Sequence, residues 1–322
     1  MAEGQAPLPW TVVGEAVVRS EEATLSVHAN AVSYGTGVFE GIRAGWNASR
    51  EELYLLDAHA HFARLRRSAQ ALGLELQASP DTLVSLSAAL LRRNEVRQDA
   101  YLRPLLLLSG EELGVRMDGV STRFSIGAWR LGGDYLAADG VHCLTSTWRR
   151  CPDVAMPIRA KVIGSYAGPA LAKSEALAGG CGEAIMLNDR GRVSEATTSN
   201  VFIRRGRVWS TPAVTEDILE GITRRQVMEL IAEDLGEKVV ERPIDRSELY
   251  TCDEAILCGT AVEVVAILSV DRRGIGAGEP GERTRRLRGS LRAIARREDS
   301  RHPEWTAPVW HAQDAEEQGG GR

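Results

Sequence analysis

Three lysines, Lys161, Lys173 and Lys238, stand against thirty-six arginines among the 39 basic residues of this chain. The imbalance matters chemically. An amine can lose its proton and condense with a carbonyl, whereas a guanidinium stays charged and cannot. Where any positive charge will serve, arginine has taken the place, so a surviving lysine marks a position where a primary amine is wanted. Lys173 lies in an alanine-rich predicted helix and Lys238 follows Glu237 at the start of a short predicted strand; both have structural explanations. Lys161 lies in Pro157-Ile158-Arg159-Ala160-Lys161-Val162-Ile163-Gly164-Ser165-Tyr166, an apolar stretch just before a helix. Composition alone supports a salt-bridge lysine there about as readily as a catalytic one.

Other side chains could work with such an amine. His61, Arg64, Leu65 and Ser68 recur three and four apart on one face of a predicted helix, a set that could hold a buried anion, although a surface arginine is the commoner case. Arg103 sits in the apolar run Tyr101 to Leu108, where a charge needs a carboxylate from the protein or from a ligand. Glu195 ends a strand in a polar stretch, either aimed at a partner or solvated in a hairpin. Leu219 to Arg224 opens a helix whose first N–H groups form a natural anion site. Cys258 to Val262 is a tight polar turn between strands. The run Tyr34-Gly35-Thr36-Gly37-Val38-Phe39-Glu40-Gly41 has three glycines in seven residues, but it is not the Gly-x-Gly-x-x-Gly of a phosphate loop and reads as a tight β-corner.

The elements that must position these groups alternate in type. Strands are predicted at Ala16 to Val27, Leu53 to Leu56, Tyr101 to Leu108, Phe124 to Trp129, Val141 to Thr147, Glu183 to Leu187, Glu254 to Leu257 and Val262 to Val270. Helices are predicted from about Ala58 to Leu72, capped by Asp57, from Ser79-Pro80 to about Arg93, from about Tyr166 to Ala178, and from Leu219 to Leu235. The arginine-rich run Arg283 to Arg297 carries Leu287, Leu291 and Ile294 at helical spacing, so it reads as a helix with a solvated basic face. At 322 residues, 43% hydrophobic and 26% charged, the chain has the composition of a soluble globular protein of two domains. A net charge of −5 disfavours nucleic acid as a partner. Five cysteines with no Cys-x-x-Cys pattern point to a reduced, cytoplasmic setting with neither metal site nor disulfide framework. No apolar run reaches membrane-spanning length.

Seven segments, in order, carry a resemblance: Tyr34-Gly-Thr-Gly-Val-Phe-Glu-Gly-Ile-Arg43, His61-x-x-Arg64-Leu-x-x-Ser68-Ala, Tyr101-x-Arg103-Pro, Lys161-x-x-Gly-Ser-Tyr166, Glu195-x-x-x-x-Asn200, Gly221-Ile-Thr-Arg224 and Gly259-Thr-Ala261. Together they resemble the branched-chain amino acid aminotransferases, class IV, fold-type IV enzymes that use pyridoxal 5'-phosphate. The resemblance runs from about residue 10 to Val309. It implies that Lys161 is the Schiff-base lysine and the acid and base of the proton transfer at Cα, that Glu195 pairs with the pyridine nitrogen, and that Tyr166 bonds the ring hydroxyl. Arg64, Ile222-Thr223 and Thr260 would bind the phosphate, and Leu219 would pack on the ring. Tyr101, Thr260 and Ala261 would receive the substrate α-carboxylate and Arg103 the distal carboxylate of glutamate. Tyr34, Phe39 and Gly41 would line the side-chain pocket, with Arg43 and Ala196 also at the substrate. A loop of a second subunit, matching Leu113 to Val115, would close that pocket in a homodimer.

The implied fold is α/β, with a small N-terminal α/β domain over 1–135, a larger C-terminal domain with a barrel-like sheet over 136–310, and a disordered tail at 311–322. The implied reaction is a ping-pong exchange between a hydrophobic, branched-chain L-amino acid and 2-oxoglutarate. The sequence departs from the family at Ala196, where glycine is usual, at Val162-Ile163, and in a short Arg130 to Gly140 segment. These changes touch or flank the substrate pocket. They leave open a transaminase of a specialised pathway, an amine transaminase, a D-amino acid aminotransferase or an aminodeoxychorismate lyase-like enzyme. A non-catalytic pyridoxal phosphate-binding protein would be expected to lack Lys161 or Glu195. A nucleotide-binding protein would need strand, loop and helix around Tyr34 to Arg43, yet Ala44 to Arg50 reads as a turn.

Overall fold

The computed structural model describes residues 6–134 and 136–311; the expected tail beyond 311 lies outside them. The chain divides into two compact units. One takes in the chain up to Gly133, the segment Ala160–Gly164 and the chain from Arg292 onward; the other comprises Asp134–Arg159 and Ser165–Leu291.

The first unit is built on an antiparallel sheet with spatial order Thr306–Pro308, Glu52–Leu56, Ile42–Asn47, Ala100–Leu108, Thr122–Arg130, Trp10–Val13, Ala16–Arg19, while Gly37–Phe39 pairs separately with Ala100–Leu108. Its helices are α1 (Asn30–Tyr34), α2 (Ala58–Ala71) and α3 (Pro80–Arg93). Leu83, Leu90 and Leu91 of α3 and Phe62 and Leu65 of α2 are fully buried, as are Leu53, Leu55, Leu102 and Leu106 of the sheet. Each such side chain contributes about 1.5–3 kcal/mol of transfer free energy. Ser79 caps α3 by accepting the Thr82 N–H at 3.1 Å, with Pro80 in the first turn as expected.

Four local expectations need correction. Ala44 to Arg50, expected as a turn, stays extended as far as Asn47, because the strand Ile42–Asn47 is paired on both sides, and turns only after it. Asp57 precedes α2 but makes no side-chain cap bond, because its own backbone is left-handed (φ 49°). The long strand expected at Ala16 to Val27 stops at Arg19 and gives way to a turn of 3-10 helix over Ser20–Glu22. The expected β-corner at Ala31 to Arg43 begins as the short helix α1, which Gly35 ends at φ 67°.

In the central strand Ala100–Leu108, alternate residues are fully buried, and Tyr101, Arg103, Leu105 and Leu107 share the half-buried face. That period of two sets Tyr101 and Arg103 side by side.

The second unit holds a nine-stranded mixed sheet that curls as a half-barrel, ordered Val193–Ala196, Glu183–Leu187, Val141–Arg149, Glu263–Val270, Glu254–Gly259, Asn200–Arg205, Val208–Thr211, Lys238–Glu241, with Arg273–Gly274 added beside Glu263–Val270. Strand Val141–Arg149 runs parallel to both neighbours. The interior is aliphatic, including Val141, Ile185, Val193, Val201, Leu257 and Val265. Helix α4 (Ala167–Ala178) lays Ala172 and Ala176 on Ala184 and Met186, small residues that let the helix approach the sheet closely. Helix α5 (Ile222–Leu235) ends at Gly236, φ 59°. Helix α6 (Glu282–Ala295) buries Leu287, Leu291 and Ile294, as their spacing predicts. No helix among the described residues is long and apolar enough to cross a membrane.

Candidate active site

Within the first unit, the segment around Lys161 lies along Gly35 to Phe39 as an extra piece of strand. The Phe39 N–H donates to Lys161 O at 3.0 Å, the Ile163 N–H to Gly37 O at 2.9 Å and the Gly164 N–H to Gly35 O at 3.0 Å. Val38 and Val162 form the bridge between the two, and both are buried. The Lys161 N–H donates to Ser68 Oγ of α2 at 3.0 Å. Two elements, the strand Gly37–Phe39 and α2, thus fix the lysine backbone, and Nζ stands 4.8 Å from the centre of the Phe39 ring. The other lysines are accounted for. Lys173 Nζ pairs with buried Glu183 at 3.0 Å, and Lys238 is exposed on a sheet strand.

Phe39 also carries the Arg103 guanidinium, 4.9 Å from its ring centre, and Arg103 Nη2 donates to the Tyr101 hydroxyl at 3.0 Å. Among the described residues no carboxylate pairs with Arg103, and its Nε is buried without a hydrogen-bond partner. A cation held by aromatic faces and a phenol, with no carboxylate beside it among the described residues, is chemically suited to an anion. Gly41 lets the Tyr101 hydroxyl come close, since a Cβ there would sit 2.1 Å from it. Arg43 pairs in register with Tyr101 and places Nη2 3.4 Å from Asp99. The Tyr34 hydroxyl lies 3.4 Å from the Gly114 N–H, which donates to it.

On α2, His61, Arg64 and Ser68 are all buried, and the anion that His61 and Arg64 hold is an internal one, the carboxylate of Glu40. Glu40 had no assigned role in the sequence reading. A signal for it existed: a carboxylate inside Val38-Phe39-Glu40-Gly41-Ile42 must be paired if its neighbours are buried.

Within the second unit, Glu195 is 5% exposed and three donors converge on its carboxylate: Arg150 Nη2 at 2.6 Å, Asn200 Nδ2 at 3.0 Å and the Leu219 N–H at 3.1 Å. Asn200 also donates to Leu219 O at 3.1 Å, tying the strand of Glu195 to the turn that precedes α5. Gly221 ends that turn; a Cβ there would meet Asn200 Oδ1 at 2.0 Å. No side chain caps α5, so its first N–H groups, at Ile222 and Thr223, are not bonded from Gly221. Arg150 is a second residue that sequence reasoning missed, and nothing in the pair Arg149-Arg150 distinguishes the buried member. Ala196 is fully buried next to Glu195. Tyr166 closes the 3-10 turn Gly164–Tyr166 before α4, and Thr260 and Ala261 lie half-buried in the turn between the strands Glu254–Gly259 and Glu263–Val270.

Cys258 is buried, and burial pushes its thiol up to about 12, so it presents no thiolate near neutral pH. No cluster of metal-binding side chains is found among the described residues.

The first unit by itself offers an amine with a fixed backbone and a buried guanidinium, which suit an aldehyde and a phosphate; the second by itself offers a buried carboxylate ringed by donors and an uncapped helix start, which suit a basic ring nitrogen and a phosphate.

The comparisons agree with that chemistry. The family model of class IV aminotransferases matches residues 37–270. A probable branched-chain-amino-acid aminotransferase of Aquifex aeolicus is 41% identical over 294 residues, 91% of this chain and 94% of its own. The crystal structure of a branched-chain aminotransferase from Thermoproteus uzoniensis with norvaline superposes with a TM-score of 0.89 at 36% identity, covering 95% of this chain and 100% of that one. That of the branched-chain amino acid aminotransferase from Thermobaculum terrenum in its PLP-form gives 0.89 at 35% identity, covering 95% and 99%.

Proposed function

We propose that this chain, which belongs to the class IV aminotransferases, exchanges an amino group between a hydrophobic, branched-chain L-amino acid and 2-oxoglutarate by a ping-pong mechanism, with Lys161 as the amine that carries the cofactor. It is a pyridoxal-phosphate-dependent enzyme of fold-type IV. The observation that carries the assignment of the amine is the clamping of the Lys161 backbone by Phe39 and Ser68, in a chain whose two other lysines are otherwise explained. The names of the relatives support the substrate class.

Bound pyridoxal phosphate supplies an aldehyde that condenses with amines and a ring that takes up the electron pair released at the substrate Cα. The residues of the chain do the rest. Lys161 Nζ would serve as the acid and base that holds and moves the proton at the substrate Cα. Glu195, its carboxylate fixed by Arg150 and Asn200, accepts a hydrogen bond from the protonated ring nitrogen. Tyr166 bonds the ring hydroxyl, and Leu219 packs on the ring. Arg64, the start of α5 at Ile222 and Thr223, and Thr260 hold the phosphate with a charge and with backbone and hydroxyl donors. Tyr101, Thr260 and Ala261 receive the α-carboxylate. Arg103, with no carboxylate partner among the described residues, receives the distal carboxylate of glutamate. Tyr34, Phe39 and Gly41 line the side-chain pocket, and Arg43 and Ala196 are further substrate residues. A homodimer and a cytoplasmic setting belong to the same proposal, the second on the cysteine pattern.

One observation favours a second reading. Ala196 is fully buried in the aliphatic interior of the second unit's sheet where the family usually has glycine, a departure that would suit a specialised amino acid. Discrimination from one methyl is worth about 1–3 kcal/mol, enough to change preference and too little to change the reaction.

The test is spectroscopic. The visible absorption of the cofactor on the purified protein should be lost on adding L-leucine and restored by 2-oxoglutarate, with D-leucine inert. Absorption that ignores every branched-chain L-amino acid and responds to a D-amino acid or an amine would overturn the substrate assignment.

A further inference from the structure

Glu40 is completely buried in the link between the strands Gly37–Phe39 and Ile42–Asn47. Its Oε1 accepts from Arg64 Nε at 2.7 Å and its Oε2 from Arg64 Nη2 at 2.9 Å, a two-point fork on one edge of the guanidinium. Oε2 also lies 2.7 Å from His61 Nδ1, one turn earlier on α2, and 3.3 Å from the Gly41 N–H. Burial by itself would push the Glu40 carboxyl up; the charges and hydrogen bonds of Arg64 and His61 outweigh it and hold the group well below the usual carboxylate range. Against an ionised carboxylate, His61 Nδ1 is the donor.

A negative charge beside an anion-binding arginine weakens the pull of that arginine on an anion. Its retention therefore needs another reason, and the geometry supplies one. The fork fixes the plane of a side chain that otherwise has several rotatable bonds, so the ordering of Arg64 is complete before any phosphate arrives. The same carboxylate stands between Phe39, whose ring underlies Arg103 and Lys161 Nζ, and Gly41, which admits the Tyr101 hydroxyl.

We infer that Glu40 is a positioning residue that aims Arg64 at the cofactor phosphate and ties that anchor to the Phe39–Gly41 wall, an inference that rests on the reading of Arg64 as a phosphate ligand.

Equilibrium dialysis of the full chain against pyridoxal phosphate tests it, with the fold of each variant checked by circular dichroism. Glu40→Gln keeps the volume and loses the fork, and should bind at least roughly tenfold more weakly, the scale of one charge-assisted hydrogen bond. Arg64→Met should also bind weakly, and adding Glu40→Gln to it should cost no more than about a further twofold, since Glu40 acts through Arg64. Wild-type or tighter binding by Glu40→Gln, or an equal loss in the Arg64→Met background, overturns the inference alone. Unchanged binding by Arg64→Met overturns the phosphate reading and the inference with it. Should Glu40→Gln not fold, Arg64→Lys decides: it keeps the charge without the fork, and wild-type affinity there would contradict the proposal.

Discussion

Arg150 and Arg64 each fasten one buried carboxylate, and the two pairs illustrate different uses of the same chemistry. Breaking a buried pair strands a charge, at a cost of about 3–5 kcal/mol, so such pairs are rigid fixtures. At Arg64 the carboxylate fixes the arginine. At Arg150 the relation is reversed: the arginine fixes Glu195, approaching at 2.6 Å, with Asn200 and the Leu219 N–H completing the set. Hydrogen bonds to a charged group are worth about 1.5–3 kcal/mol. Arg150→Met should therefore lower kcat at saturating cofactor by roughly ten- to a hundredfold, and Arg150→Lys should recover part of it. An unchanged kcat in Arg150→Met, measured by steady-state transamination, would show that Glu195 needs no such support. At this scale Arg64 and Glu195 stand out in the sequence but their partners do not, because Glu40 and Arg150 meet them only through folding.

At the scale of elements, the connection 109–121 is held to α1 within the same chain. Asn30 Nδ2 donates to Glu112 O at 3.1 Å and to Gly114 O at 3.2 Å, and the Gly114 N–H donates to Tyr34. The fastening leaves Leu113 fully exposed and Val115 at 74% exposure, with Val27 and Val32 also exposed. A loop tied at its base that presents aliphatic side chains to water fits the proposed contact with a second copy. Each side chain covered there contributes about 1.5–3 kcal/mol, so Leu113→Ser with Val115→Ser should weaken association by at least roughly a hundredfold. Sedimentation should show the variant shifted toward monomer with its circular dichroism unchanged. A wild-type enzyme that is monomeric and fully active would contradict this reading. Elements with strong period were legible in the sequence: α3 with its Ser79-Pro80 start, α6 with its leucine stripe, and strands such as Glu183–Leu187. Short ones were not. Helix α1 is five residues long, too short for a helical period to show, and the glycines after it dominate the local pattern.

For the molecule as far as its described residues go, helices α2 to α6 and about half of the strands follow from hydrophobic period and end signals, whereas the passage of 160–164 along Gly35 to Phe39 does not. That pairing joins residues more than a hundred positions apart, and the only local hint is the β-branched pair Val162-Ile163. It is also what gives Lys161 its fixed backbone. Because the chain holds only three lysines, the central assignment can be read directly. Borohydride reduction of the protein loaded with pyridoxal phosphate, followed by tryptic digestion and mass spectrometry, locates the amine that carries the cofactor. We predict a single pyridoxyl group on Lys161, in the peptide that runs from Ala160 to Lys173 because the modified lysine resists cleavage. A stoichiometric label on Lys173 or Lys238 instead, or none on Lys161, would contradict the account.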